Sequence, residues 1–145
     1  MASVTPTAMH IAAVAILALS ASSAAGAEDR PQTTFSGLCR YPDPVARYRH
    51  ETTLVECDTA MISANGETTT LDFARRSWGP TARFIGTMQG DRMAVSALRL
   101  RTGGAVASTG TCQVFRSKDH ALSVISCLAK AGSTSVAVNF VASRI

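Results

Sequence analysis

The chain has 145 residues, 14 basic and 10 acidic side chains for a formal net charge of +4, and a composition that is 46% hydrophobic and 17% charged. Taken by itself, this length holds one compact domain and is too short for a multidomain enzyme, and the apolar content excludes wholesale disorder. With only 10 Gly and 5 Pro, it is neither collagen-like nor proline-rich.

Ile11 to Leu19 form an unbroken apolar run, and Ser20 to Ala27 a small-residue stretch that closes in Ala25-Gly26-Ala27. Together they read as the hydrophobic region and A-x-A cleavage site of a signal peptide over 1–27, with cleavage after Ala24 as a second choice. The segment before it departs from the usual pattern, since it holds His10 but no Lys or Arg. A spanning helix needs about 20 strongly apolar residues, and this run is shorter. Leu38 before Cys39 also does not suit a lipoprotein signal, where a small residue is expected. The expected mature chain is one β domain over 28–145, 145 − 27 = 118 residues, and all the basic and acidic side chains fall within it. Arginine supplies 12 of the 14 bases and no N-x-S/T sequon occurs, so the expected home is a bacterial periplasm or exterior rather than a eukaryotic surface. The positive balance permits weak attraction to an anionic envelope polymer, and a protein target is a second option, but charge alone names no partner.

After residue 27 the apolar runs are short, Thr, Val and Ser are frequent, and turn signals arrive about every ten residues, which predicts an all-β fold. A strand is expected near Thr33 to Arg40, then a short helical turn within Asp43 to His50. Asn65-Gly66 suggests a type I′ turn between Leu54 to Ala64 and Glu67 to Arg75. That register sets Glu56 opposite Arg75, Asp58 opposite Phe73 and Asp72 opposite Thr59, and it places two acids on an apolar face, so either a bulge or a different register is expected there. Trp78, the only tryptophan, is expected as a core plug beside a turn, with ligand stacking as the alternative.

Gly90-Asp91 fits a type II′ turn that pairs Phe84 with Ala97, Gly86 with Val95 and Met88 with Met93, all on one apolar face. Gly103-Gly104 ends the strand Met93 to Arg101. A hairpin around Ser117 to Ala121 pairs Cys112 with Cys127 and Val114 with Ile125. Gly132-Ser133 then pairs Ala129 with Val136, Cys127 with Val138 and Ile125 with Phe140. Sequential hairpins make a meander of about eight antiparallel strands, closing as a small barrel or a two-sheet sandwich.

Cys39, Cys57, Cys112 and Cys127 are an even set in a chain read as exported, which predicts two disulfides. Their spacings of 18, 55 and 15 lack the close pair of a structural zinc site. Gly37-Leu38-Cys39 and Gly110-Thr111-Cys112 each open a segment leading to a second cysteine, and each half closes in a polar-Phe pair, Asp72-Phe73 or Asn139-Phe140. This faint internal repeat selects the links Cys39 to Cys57 and Cys112 to Cys127.

Phosphate loops, H-E-x-x-H, C-x-x-C and G-x-S-x-G are all missing, so neither a nucleotide cofactor nor a metal is expected. His50 and His120 each sit beside an acid and are read as solvated loop residues, although a hydrolase could recruit one of them with a serine such as Ser126. Arg99 and Arg101 alternate on one strand near Arg75, Arg76 and Arg83. They read as a solvated face, with an anion-binding stripe as the alternative. The expected function is a non-enzymatic binding or inhibitory module acting as a monomer. The alternatives are the small hydrolase and a carrier with an apolar ligand held among Phe84, Val95, Ile125 and Phe140.

Overall fold

Hairpin chemistry sets most of the architecture. Gly66, Gly90 and Gly132 hold φ of 61°, 60° and 59°, the left-handed setting that suits the first central position of a type II′ turn and the twist of the strands around it. The structure, a computed structural model, describes residues 31–144, so the leader read over 1–27 lies outside the described residues. In chain order the elements are β1 (Gln32–Cys39), α1 (Asp43–Ala46), β2 (Thr52–Leu54), β3 (Thr59–Asn65), β4 (Thr68–Arg75), β5 (Gly79–Gln89), β6 (Arg92–Leu100), β7 (Val106–Arg116), β8 (Leu122–Ala131) and β9 (Thr134–Ala142).

From β3 to β9 each strand pairs antiparallel with the next, and β1 closes the ring. Gln32 to Ser36 pair with β3, and Gly37 to Cys39 pair with β9. The meander is therefore a closed eight-stranded antiparallel barrel, not a sandwich, and closure removes the open edges. The short β2 is an addition to the meander. It lies parallel to β9, with Thr52 to Leu54 against Ser135 to Ala137, on the stretch of β9 that β1 leaves free.

The closure depends on a missing side chain. A Cβ on Gly37 would stand 2.2 Å from the Val141 carbonyl oxygen and 2.6 Å from the Phe140 ring, so only glycine lets β1 lie down on β9 at this point. On the outer wall Phe115, Val124, Val141 and Leu38 stand directly opposite one another across β7, β8, β9 and β1. Such cross-strand apolar neighbours each contribute a few tenths to about 1 kcal/mol, here across the seam.

The interior is filled by side chains. Phe73, Phe84, Phe140, Leu71, Met93 and Ile125 are all 0% exposed. The Phe73 ring meets Phe84 edge-on with centroids 5.8 Å apart and meets Phe140 at 6.4 Å, joining β4, β5 and β9 across the barrel. Among the described residues no helix is long and apolar enough to cross a membrane.

The two later hairpins carry the registers expected of them, including Cys112 opposite Cys127 and Ile125 opposite Phe140. The disulfides link Cys39 to Cys57 and Cys112 to Cys127. Two other registers need correction. In the first hairpin the central residues are Gly66 and Glu67, because Asn65 pairs with Thr68, and the whole register moves by two residues. Phe73 therefore faces Ala60 and Asp72 faces Met61, while Asp58 and Glu56 precede β3 and leave the apolar face clear. In the second, Gly86 to Gln89 pair as expected, but a bulge at Ser96 sets Phe84 opposite Leu98 instead of Ala97. Without it Val95 and Leu98, an odd number of residues apart, could not both point inward, and their exposures are 6% and 1%.

The loop between β1 and β3 is anchored by Tyr41. Its hydroxyl lies 3.1 Å from the Ala137 carbonyl oxygen, which it can donate to, and also contacts the Val55 carbonyl oxygen. Burial, with a smaller push from Glu56, raises its pKa from 10.0 to about 12. The folded protein thus keeps this proton at a pH where the unfolded chain has lost it. The resulting stabilisation is full below about pH 10 and is lost as pH rises through about 12. Urea unfolding should show stability falling across that window, less steeply in Tyr41→Phe; identical slopes would refute the assignment.

Candidate functional site

The turn 76–78 joining β4 to β5, the loop 101–105, the turn 132–133 and the loop carrying α1 and β2 all emerge at one end of the barrel. Trp78 marks this end. Its backbone N–H donates to the Arg75 carbonyl at 3.0 Å, Gly79 follows with φ of 84°, and Arg75 pairs with Gly79 as the last rung below the turn. The turn therefore carries Trp78 beyond the last rung of the barrel wall. Trp78 is 48% exposed, which corrects the expectation of a core plug. The Arg75 guanidinium lies 4.5 Å from its ring centroid and that of Arg101 5.4 Å. Contacts of this kind at an exposed site are worth about 0.5–1 kcal/mol each.

Below the indole the arginines divide into neutralised and open ones. Arg75 pairs with Glu56 at 2.7 Å, the residue that the sequence register set opposite it, although the pair forms ahead of β3 and not within a ladder. Arg83 holds the mostly buried Asp72 at 2.5 Å. The Asp58 carboxylate accepts the Arg76 backbone N–H at 3.1 Å and the Thr59 hydroxyl at 2.9 Å. Desolvation pushes the Asp58 pKa up, but these hydrogen bonds and the charges of Arg76 and Arg75 outweigh it and hold the group below the usual carboxylate range. Arg99, by contrast, stands directly opposite Arg83. Two like charges facing each other across a ladder are unfavourable. Neither Arg99 nor Arg101 has an ion-pair partner among the described residues.

Two clefts flank this cluster and share one wall, Leu100. A dent of about 20 Å³ lies among Arg83, Arg99, Arg101 and Leu100, room for about one water-sized atom. A larger cleft of about 300 Å³ opens among Leu98, Leu100, Val106 and Val136, rimmed by Thr102, Gly103, Gly104 and Thr134. One inward step along β7 from Val106, the buried Ser108 hydroxyl has no hydrogen-bond partner among the described residues. Compared with protein-family models, curated proteins and solved structures, the chain matches none. The reading of this end therefore rests on its own geometry.

The other sequence candidates are not brought together. His50 lies in the exposed turn after α1 and His120 in the exposed loop between β7 and β8, where its φ is 63°. Neither imidazole is hydrogen-bonded to a described residue. Ser126 sits on the wall of β8 between Gln113 and Asn139. At the far end, a polar cleft of about 280 Å³ includes Ser117 and Asp119. There the Ser117 hydroxyl donates to the Asp119 carboxylate, and that hydrogen bond is the main cause holding Asp119 below the usual carboxylate range. A serine oriented by a carboxylate with no imidazole between them lacks the base that activates it. Among the described residues no three His, Cys, Asp or Glu side chains converge on a metal position. Phe84, Val95, Ile125 and Phe140, the walls that an internal carrier would need, pack as core.

Sequence reasoning found the arginines and missed the cleft. The signal was present in Leu98-Arg99-Leu100-Arg101, where apolar and basic residues alternate. Whether Leu100 closes the core or stands open at a mouth depends on where β7 begins, which the Gly103-Gly104 loop does not reveal.

Proposed function

We propose that the protein is a non-enzymatic binding module whose disulfide-stapled barrel presents Trp78, Arg99 and Arg101 to an anionic ligand. The observation that carries this reading is the pair of arginines without acidic partners beside a half-exposed indole. An anion placed there offsets the like charge that Arg99 meets in Arg83 and supplies the partner that Arg99 and Arg101 lack. A rigid barrel with recognition at one end suits such a role. The two disulfides are consistent with an oxidising compartment outside the cytoplasm, and we place the protein in a bacterial periplasm or secreted from it.

The test uses the single tryptophan as reporter. Titrating the exported protein with heparin, oligothymidylate and decanoate should give at least one probe that shifts or quenches Trp78 emission and weakens with added salt. Arg99→Gln or Arg101→Gln should each lower that affinity about tenfold, the worth of one charge-assisted hydrogen bond. His50→Ala and His120→Ala should bind as the parent does. Probes that leave the emission untouched, or arginine variants that bind normally, would refute the proposal.

A further inference from the structure

Building on that anion-binding reading, we infer that the ligand is a single-chain anionic amphiphile of the fatty-acid type. Its oxyanion rests on Arg99 and Arg101 and its alkyl chain lies in the cleft of Leu98, Leu100, Val106 and Val136. Three observations converge on this class. The larger cleft, about 300 Å³, is of the size at which small-molecule sites begin and is walled by aliphatic side chains. At its rim Gly103 and Gly104 leave open space, since a Cβ built on either meets nothing within 4 Å.

The open charge is local. Glu56 and Asp72 already engage Arg75 and Arg83, and the Arg76 guanidinium donates to the Ser36 hydroxyl at 2.8 Å. At this end of β6 the two neighbouring guanidiniums of Arg99 and Arg101 are without an ion-pair partner among the described residues. A polyanion calls for a longer track of open charge along its backbone, whereas one oxyanion is matched by two arginines and a dent of about 20 Å³.

The two features are also joined in the right order. Leu100 borders both the dent and the aliphatic cleft. It is the last residue of β6, so a head group can turn round the strand end at Arg101 while its chain enters the mouth. The site differs from a hollow-barrel carrier, because the chain occupies the mouth above the packed phenylalanines.

Octanoate, decanoate and dodecanoate, each below its micelle concentration, would be titrated into the exported protein beside decan-1-ol and heparin. Binding would be followed by Trp78 emission and by methyl NMR of Val106 and Leu100. The inference expects affinity to rise about fourfold per added methylene until the cleft is full. It also expects decan-1-ol to bind at least tenfold more weakly than decanoate, and Val106→Asp, at a half-exposed position, to lose decanoate at least tenfold. Should heparin bind with the arginines required while the carboxylates show no chain-length dependence, the amphiphile is overturned and the anion site stands. Equal binding of decan-1-ol and decanoate, unaffected by Arg99→Gln, would overturn both.

Discussion

Phe73→Ala should destabilise the protein by about 3–5 kcal/mol, the range for removing a buried aromatic ring from a packed core. Phe73 is fully buried and touches Phe84 edge-on and Phe140 from across the barrel. Its loss removes the contact between β4 and β9, which share no hydrogen bonds. The void cannot readily collapse, because the walls belong to a closed ring of backbone ladders whose circumference is fixed by pairing. Phe115→Ala is the matched control, since that ring is 50% exposed on the outer wall, and it should cost under about 1 kcal/mol. Urea unfolding with the disulfides intact measures both. A Phe73 cost no larger than that of Phe115 would show that the three rings do not form the centre of the core.

Removing either disulfide by paired Cys→Ala substitution should cost about 3 kcal/mol, from loop-closure entropy over separations of 18 and 15 residues. The two should nonetheless differ in how they are reached. Cys112 and Cys127 are 0% and 2% exposed on the inner face of neighbouring strands, so a reductant meets them only after β7 and β8 part. Cys39 lies at the end of β1 and is only partly buried, and its partner Cys57 lies in the loop before β3. Brief treatment with a phosphine under native conditions, followed by alkylation and peptide mapping, should therefore label Cys39 and Cys57 first. Simultaneous labelling of all four cysteines would mean that the barrel opens as readily as its loop.

The disulfide links followed from two sequence signals that agree. The hairpin at Ser117 to Ala121 sets Cys112 opposite Cys127 by counting, and the resemblance of the Gly37 and Gly110 segments assigns the remaining pair. Both segments begin with a glycine crowded by a neighbouring strand, β9 for Gly37 and β8 for Gly110: the missing Cβ would stand 2.2 Å from a carbonyl oxygen in each case. Both end at a buried phenylalanine, Phe73 or Phe140. The Arg99-Arg101 alternation was likewise visible. Its state of charge was not, because whether an arginine is neutralised depends on which acid the neighbouring strand brings to it. Asp72 reaches Arg83 across the ladder of β4 and β5, whose register the sequence reading did not specify.

By itself the sequence determined the all-β class, the order of the hairpins, their glycine turns and the cysteine pairing. Each of these follows from local conformational preference and a side-chain alternation of period two, which short stretches of chain encode directly. Tertiary structure alone decided the rest. Closure into a barrel depends on β1 leaving β3 for β9 at Gly37, a contact between opposite ends of the described chain that no local pattern specifies. The bulge at Ser96 arises because both Val95 and Leu98 have an interior to fill. Trp78 stands half-exposed beyond the last rung of β4 and β5, Arg75 with Gly79, and how far a turn stands clear of the packed interior is settled only when the ring closes.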